Sequence, residues 1–328
     1  MRPFAVTADF DFFKIKKRNQ ENAMNVILNI CKVTLEEGFM YAILALGLYI
    51  TYSILDFPDL SVDGTMPLGA IVTALLILRG VNPWLCLLIS FTAGALGGVI
   101  TGLLHVKLHI RPLLCGILVY TGLLSINLVL LYVFNNGTSV ASFFRMPTIF
   151  NTGVGALIPE NIGGFYVRTL AVSCMMAILC KILLDIYLKT KSGLLLRATG
   201  NNEQYVTMLA KDPGVSKVIG LSLGNGFAAL AGSVIAQSKG SADQQMGVGM
   251  VVLGLASVIV GLSIFRRVSR MKATTMVLLG SIAYKAVLSI ALALGLPTEY
   301  LKLLMAVLFV LALVLSGKKE KHKRRKTA

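Results

Sequence analysis

Leu196-Arg-Ala-Thr-Gly-Asn-Asn-Glu-Gln-Tyr-Val-Thr-Met-Leu209 is the stretch on which the reading of this chain turns. It lies in a polar loop, 189–214, with apolar runs on both sides: 165–188 before it, 215–237 and 246–265 after it. Asn201 is a good N-cap, since its side-chain oxygen can accept from an otherwise unbonded first-turn amide, and Gln204 stands where a capping box would put it. The pattern predicts a helix over 202–211, stopped by Asp212-Pro-Gly214. Tyr205, Met208 and Leu209 fall at i, i+3 and i+4 and give that helix one apolar face. Such a face suits a membrane surface or a groove on a soluble partner. The flanking loop is short and polar and Glu203 is unsuited to anionic lipid, so the partner fits better.

Composition sets the surroundings of that loop. The chain has 328 residues, 56% of them hydrophobic and only 14% charged, where a soluble domain carries about 25% charge. Mean hydropathy is +0.78. The net charge of +16 reads as a positive-inside bias plus a basic tail rather than as a nucleic-acid footprint. Five cysteines, Cys31, Cys86, Cys115, Cys174 and Cys180, lie singly in or beside apolar runs and read as small packing residues. His105 and His109 are four apart but have no third ligand nearby, so a basic loop is the better reading than a metal site. No G-x-x-x-x-G-K-[ST], H-E-x-x-H or G-x-S-x-G occurs. The chain therefore cannot cradle ATP phosphates itself, and an intramembrane enzyme is not indicated.

Nine apolar segments can be read: 39–55, 65–78, 83–104, 113–134, 165–188, 215–237, 246–265, 273–294 and 300–316. Spans of this kind must be helices, because lipid offers no partner to free backbone groups. The expected fold is an all-α polytopic transmembrane bundle of eight or nine spans. It comprises a non-native or disordered extension 1–23 ahead of a natural start at Met24, a membrane domain 24–317, and a basic tail 318–328. With the tail inside, eighteen Lys and Arg fall on the same side: Lys107, Arg111, Lys189, Lys191, Arg197, Lys211, Lys217, Arg266, Arg267, Arg270, Lys272 and seven within 318–326. From Met24 on, six fall on the other side: Lys32, Arg79, Arg145, Arg168, Lys239 and Lys302. The excess predicts a cytoplasmic C-terminus and a cytoplasmic loop 189–214. The connection 135–164, with its Asn-Gly, Pro and Gly-Gly signals, reads as a solvent-side loop carrying a short surface helix.

The second segment is too short. Its fourteen residues make about 21 Å of helix, and Asp56-Phe-Pro-Asp-Leu-Ser-Val-Asp-Gly-Thr-Met-Pro67 precedes it. This is either an exposed turn or a broken helix in which Ser61, Asp63, Gly64 and Thr65 line a path through the bundle. An echo favours the second: a break with Asp63 before Met66-Pro-Leu-Gly-Ala70, and a break with Asp243 before Met246-Gly-Val-Gly-Met250. In the expected topology the two copies run in opposite directions, the pattern of an inverted repeat. Gly94, Gly98 and Gly102 make one stripe of small residues, and Gly220, Gly224, Ala228 and Gly232 another, for a compact bundle or a dimer face. Asn127, Asn225, Gln237, Ser257 and Lys285 are polar within spans; each makes an interhelical hydrogen bond or touches a permeating solute. Lys181 and Asp185, at i and i+4, are expected to pair.

With these residues in view the chain resembles the permease subunits of bacterial ABC importers, of the branched-chain amino acid and ribose permease superfamily. The resemblance covers 24–317. It rests on Tyr41-Ala-Ile-Leu-Ala-Leu-Gly47, Asp59-Leu-Ser-Val-Asp-Gly64, Leu196-Arg-Ala-Thr-Gly-Asn-Asn-Glu203 and Gly224-Asn-Gly-Phe-Ala-Ala-Leu-Ala-Gly232, with 249–261 after them. The subgroup it is most similar to is the tryptophan- and tyrosine-type permeases. The resemblance implies a bacterial plasma-membrane protein that is not itself an enzyme. It implies a separate ATPase holding ATP and Mg, a second permease copy or homologue, and an extracytoplasmic substrate-binding lipoprotein. Arg197, Gly200, Asn201, Asn202, Glu203, Tyr205, Met208 and Leu209 would belong to the coupling helix that sits on the ATPase. Ser61, Asp63, Gly64, Thr65, Asn225, Gln237, Asp243, Gly249 and Ser257 would line the path. One departure is Lys211-Asp-Pro-Gly214, where relatives often have a small residue and Gly-Ile. The alternative is an ion-coupled secondary transporter with inverted repeats, for which Asp63, Asp243 and Lys285 are the candidate ion-coupling groups. A non-transporting scaffold is disfavoured by the broken, polar segments.

Overall fold

The computed structural model describes residues 28–135, 137–162, 165–265, 271–297 and 300–327. The expected extension 1–23 and Arg266, Arg267 and Arg270 lie outside them. In chain order the helices are α1 (Leu28–Ile54), α2 (Val62–Leu78), α3 (Pro83–Leu108), α4 (Pro112–Phe134), the single turn α5 (Val154–Leu157), α6 (Arg168–Tyr187), α7 (Lys191–Asn201), α8 (Glu203–Met208), α9 (Pro213–Lys239), α10 (Met250–Phe265), α11 (Ala273–Ala293) and α12 (Leu301–Thr327). Among the described residues seven helices are long and apolar enough to cross a membrane, α10 being counted from Gln244; α2 and the apolar part of α12, Leu301–Val314, are shorter. These nine correspond to the nine apolar segments. The main correction is at α1, which is already helical at Leu28, eleven residues before the expected start, so that Glu36 and Glu37 lie inside the helix. Two small antiparallel ladders sit between helices: β1 (Val140–Ser142) with β4 (Ser241–Asp243), and β2 (Asn161–Ile162) with β3 (Phe165–Tyr166). The 135–164 connection thus carries strand as well as its one helical turn.

Local chemistry sets the helix ends. Asn82 accepts the Trp84 amide at 3.0 Å and Pro83 opens α3. Asp212 accepts the Gly214 amide at 2.7 Å and Pro213 opens α9. In both, proline occupies a position whose amide would have no helical partner. Gly240 closes α9 in the left-handed conformation at φ +70°, which glycine adopts without the usual Cβ clash.

α9 is the axle of the bundle. One side of it takes α3 at contact distance: a methyl on Gly98 would lie 2.2 Å from the Leu221 carbonyl oxygen, and one on Gly94 2.5 Å from that of Asn225. Another side takes α1 and α2: a methyl on Gly224 would meet the Thr51 side chain at 2.5 Å, and one on Gly232 the Met66 carbonyl oxygen at 2.0 Å. Both small-residue stripes are therefore spent within the chain, on close helix packing. The α1 end at Ile54, the α3 end at Val106 and the start of α9 gather beside α7. Asp185 near the end of α6 bonds Lys272 and Thr274 at the start of α11, and also pairs with Lys181 at 3.3 Å as expected. At the opposite end the β1–β4 ladder joins the 135–164 connection to the end of α9.

Candidate functional site

Between α1 and α2 the chain does not make an exposed turn. The last six residues of α1, Tyr49–Ile54, widen into a π-helix, Asp56 takes φ +53°, and the strand of backbone that follows folds back into the bundle. There Asp59 Oδ1 accepts from the Ser61 amide at 2.9 Å and the Ser61 hydroxyl at 2.5 Å. Asn225 on α9 donates to Asp59 Oδ2 at 2.7 Å. It accepts from Thr65 at 2.8 Å and from Ser61 at 3.1 Å. Asp59, Ser61, Thr65 and Asn225 are all buried, so this broken backbone persists because protein surrounds it.

The second break meets the first. Asp63, in the first turn of α2, accepts the amides of Gly249 at 3.2 Å and Val251 at 2.8 Å and so caps α10. Pro67 cannot donate to the Asp63 carbonyl four residues back. The Gly247 backbone occupies the space this leaves: a methyl there would lie 2.0 Å from that oxygen. On the other flank Asn127 of α4 donates to the Gly64 carbonyl at 3.1 Å. Asp243 caps the turn Gln244–Gly247 by accepting the Met246 amide at 3.0 Å.

Two expected path residues lie apart from this junction. Gln237 accepts the Ile149 amide at 2.9 Å, toward the β1–β4 end. Ser257 is buried and bonds the Leu253 carbonyl of its own helix at 2.8 Å. The sequence reading grouped Asp59 with the acidic turn but missed its role; the Asp-x-Ser spacing, which lets an aspartate take the amide two residues on, was the available signal. Asp63, Asp243 and Lys285, the candidate ion-coupling groups, each have a partner: the two aspartates accept backbone amides, and Lys285 pairs with Glu37 of α1 at 2.8 Å.

The polar loop carries two helices, the expected one, α8, and α7 ahead of it. α7 ends at Asn201, and the N-cap of α8 is Asn202, which accepts the Tyr205 amide at 3.2 Å. The cap is displaced by one residue from the expected Asn201, and α8 ends at Met208 rather than 211. Arg197, Gly200 and Asn201 belong to α7. Val206 is buried and anchors α8, whereas Tyr205, Met208 and Leu209 are exposed, Met208 to 83%. Glu203 is braced by Lys217 of α9 at 2.8 Å. Gly200 is the seat of α7: a methyl there would stand 1.7 Å from the Ile54 carbonyl oxygen, at the end of the π-turn. α7, which leads directly into the outward-facing α8, is thus wedged against the segment that leads into the Asp59–Asn225 network.

The family model described as "Branched-chain amino acid transport system / permease component" matches residues 33–313. A tyrosine transport system permease protein of Clostridioides difficile (strain R20291) is 36% identical over 274 residues, 84% of this chain and 87% of that protein. An uncharacterized protein of Rickettsia prowazekii (strain Madrid E) is 32% identical over 290 residues, 87% of this chain and 97% of that one. No solved structure matches the chain.

Proposed function

The chain belongs to the family of branched-chain amino acid transport system permease components, and on that premise we propose that it is the membrane subunit of a bacterial ABC importer for an amino acid. Tyrosine and its aromatic relatives are the first solutes to test, since a relative sharing 36% identity is named for tyrosine transport. The observation that carries the reading is α8, whose large apolar side chains are turned outward at the end of the bundle where Lys189, Lys191, Arg197 and Lys217 gather. Positive charge favours the cytoplasmic side, so that end faces the cytoplasm and α8 is offered to a soluble ATPase. ATP and its metal are held by that partner. A binding lipoprotein delivers the solute on the other side, and a second copy or homologue completes the path.

Closure of the ATPase pair displaces α8 and, with it, α7. Gly200 transmits the displacement to the π-turn of α1. The turn shifts the Asp59–Ser61–Thr65–Asn225 network and the Asp63 cap on α10, so the two broken elements separate and the path opens. Selectivity then resides largely in the binding protein, because the junction residues satisfy one another when closed.

Affinity purification of the chain from its native membranes tests the proposal. The expected result is a co-purifying nucleotide-binding subunit, lost in a Tyr205→Ala/Met208→Glu variant that still elutes as a folded membrane protein. A chain that purifies without an ATPase, or a variant that keeps one, refutes it.

A further inference from the structure

The ion pair between Glu37 and Lys285 joins α1 and α11, two of the helices long and apolar enough to cross a membrane, away from the ends of both. Lys285 stands eight residues before the end of α11 at Ala293, about 12 Å along the helix axis, and twelve residues past its start. It is only 8% exposed, its ammonium lies 4.1 Å from the Tyr41 ring centroid, and Glu37 is at 2.8 Å. The level is fixed by packing between α1 and α11: the Ser281 hydroxyl donates to the Gly38 carbonyl at 2.6 Å, and Gly38 presses on Ile282. Above it on α1, Lys32 and Glu36 pair at 3.6 Å.

Glu37 differs from the acidic groups at the two breaks. Asp59 is buried among hydroxyl and amide donors, and Asp63 is taken up by two backbone amides. The Glu37 side chain instead keeps 41% of its surface exposed, with Lys285 bonded to one oxygen. A carboxylate at this depth is strongly disfavoured against hydrocarbon and is met where it faces protein or a water-filled cavity. By contrast, the outward face of α4 carries Ile117, Leu118, Ile126 and Val129, which suits lipid.

We infer that the exposed side of Glu37 opens to water at membrane depth, so that the outer half of α1 and the middle of α11 line the aqueous path. This rests on the transport reading and adds to it a stretch of path not assigned from sequence. A zwitterionic solute entering there meets an acid and a base beside an aromatic ring.

Cysteine accessibility tests this in the full-length protein in permeabilised membrane vesicles. Glu37→Cys and Ile126→Cys are compared on a Cys31→Ser background, using a charged methanethiosulfonate that cannot enter hydrocarbon. Because the thiolate is the reacting form, Cys at 37 is expected to react at least about tenfold faster than Cys at 126. Removing the carboxylate strands Lys285, so Glu37→Cys/Lys285→Met is measured in parallel; it removes both charges, and methionine keeps most of the lysine's volume. Equal, slow reaction at 37 and 126 in both backgrounds overturns the inference. If such a protected variant still shows ATP-coupled uptake, the transport reading stands and the inference alone fails. Fast reaction at 37 in a chain that engages no ATPase supports the aqueous face while removing that reading.

Discussion

Replacing Gly200 with alanine measures how tightly the partner-facing segment is seated on the bundle. The added methyl would lie 1.7 Å from the Ile54 carbonyl oxygen, 2.7 Å from the Ile54 carbonyl carbon and 3.0 Å from Leu55 Cα. All three are main-chain atoms, so no change of rotamer relieves the contact. Since real Cβ contacts do not fall below 3.0 Å, α7 and the end of α1 must part by the shortfall from 1.7 Å, about 1.3 Å. Overpacking of this kind costs about 1–3 kcal/mol. The better helix propensity of alanine offsets up to about 1 kcal/mol of that. Gly122 on α4 is the control, with nothing within 4 Å of a built methyl; there alanine should stabilise by about 0.5–1 kcal/mol. The same chemical change should therefore move stability in opposite directions, with the two variants roughly 2 kcal/mol apart. The assay is equilibrium unfolding in mixed micelles of a mild detergent and dodecyl sulfate, followed by ATP-driven uptake in proteoliposomes. Gly200→Ala should also lower uptake per ATP hydrolysed, because α8 moves with α7. A Gly200→Ala protein as stable as Gly122→Ala, with normal uptake, would falsify the seating.

Two further outcomes follow from the junction. Asn225→Ala removes four side-chain hydrogen bonds, including the donor to Asp59, and should destabilise by about 2–4 kcal/mol; a double-mutant cycle with Asp59→Ala should show a coupling of roughly 1 kcal/mol or more, and strict additivity would contradict the network. Asp63→Ala takes the backbone partner from the first turn of α10 and should cost about 1–2 kcal/mol. Hydrogen exchange at Gly249 and Val251 should quicken in that variant, less so in Asp63→Asn; unchanged protection would show that the cap is not formed.

The seven helices long enough to cross a membrane were legible because each contains a long apolar run, most of them bounded by proline, glycine or a capping residue, and α2 was visible as a short apolar run preceded by acidic and turn residues. The outward face of α8 was legible from helical spacing alone. The start of α1 was missed because Lys32, Glu36 and Glu37 break the apolar run; Lys32 and Glu36 pair with each other, and the partner of Glu37, Lys285, comes from a distant helix. The displaced cap has a local cause. Asn201 and Asn202 are both competent, and the choice is made by Gly200, whose seat on Ile54 keeps α7 helical one residue further than side-chain chemistry requires. The π-turn left no mark on composition, since it depends on how α1 must end against α7 and α9.

The Asp63 cap also constrains how the protein can be made. Its carboxylate waits for Val251, 188 residues later in the chain, and Asp59 waits for Asn225, 166 residues later. At about 5–20 residues per second, the longer interval lasts on the order of 10–40 s. During that time the ribosome has delivered an acidic, proline-broken hairpin into a bilayer that has nothing to bond it. The first half of this permease is thus a nascent-chain client, dependent on the insertion machinery for shelter until α9 and α10 emerge.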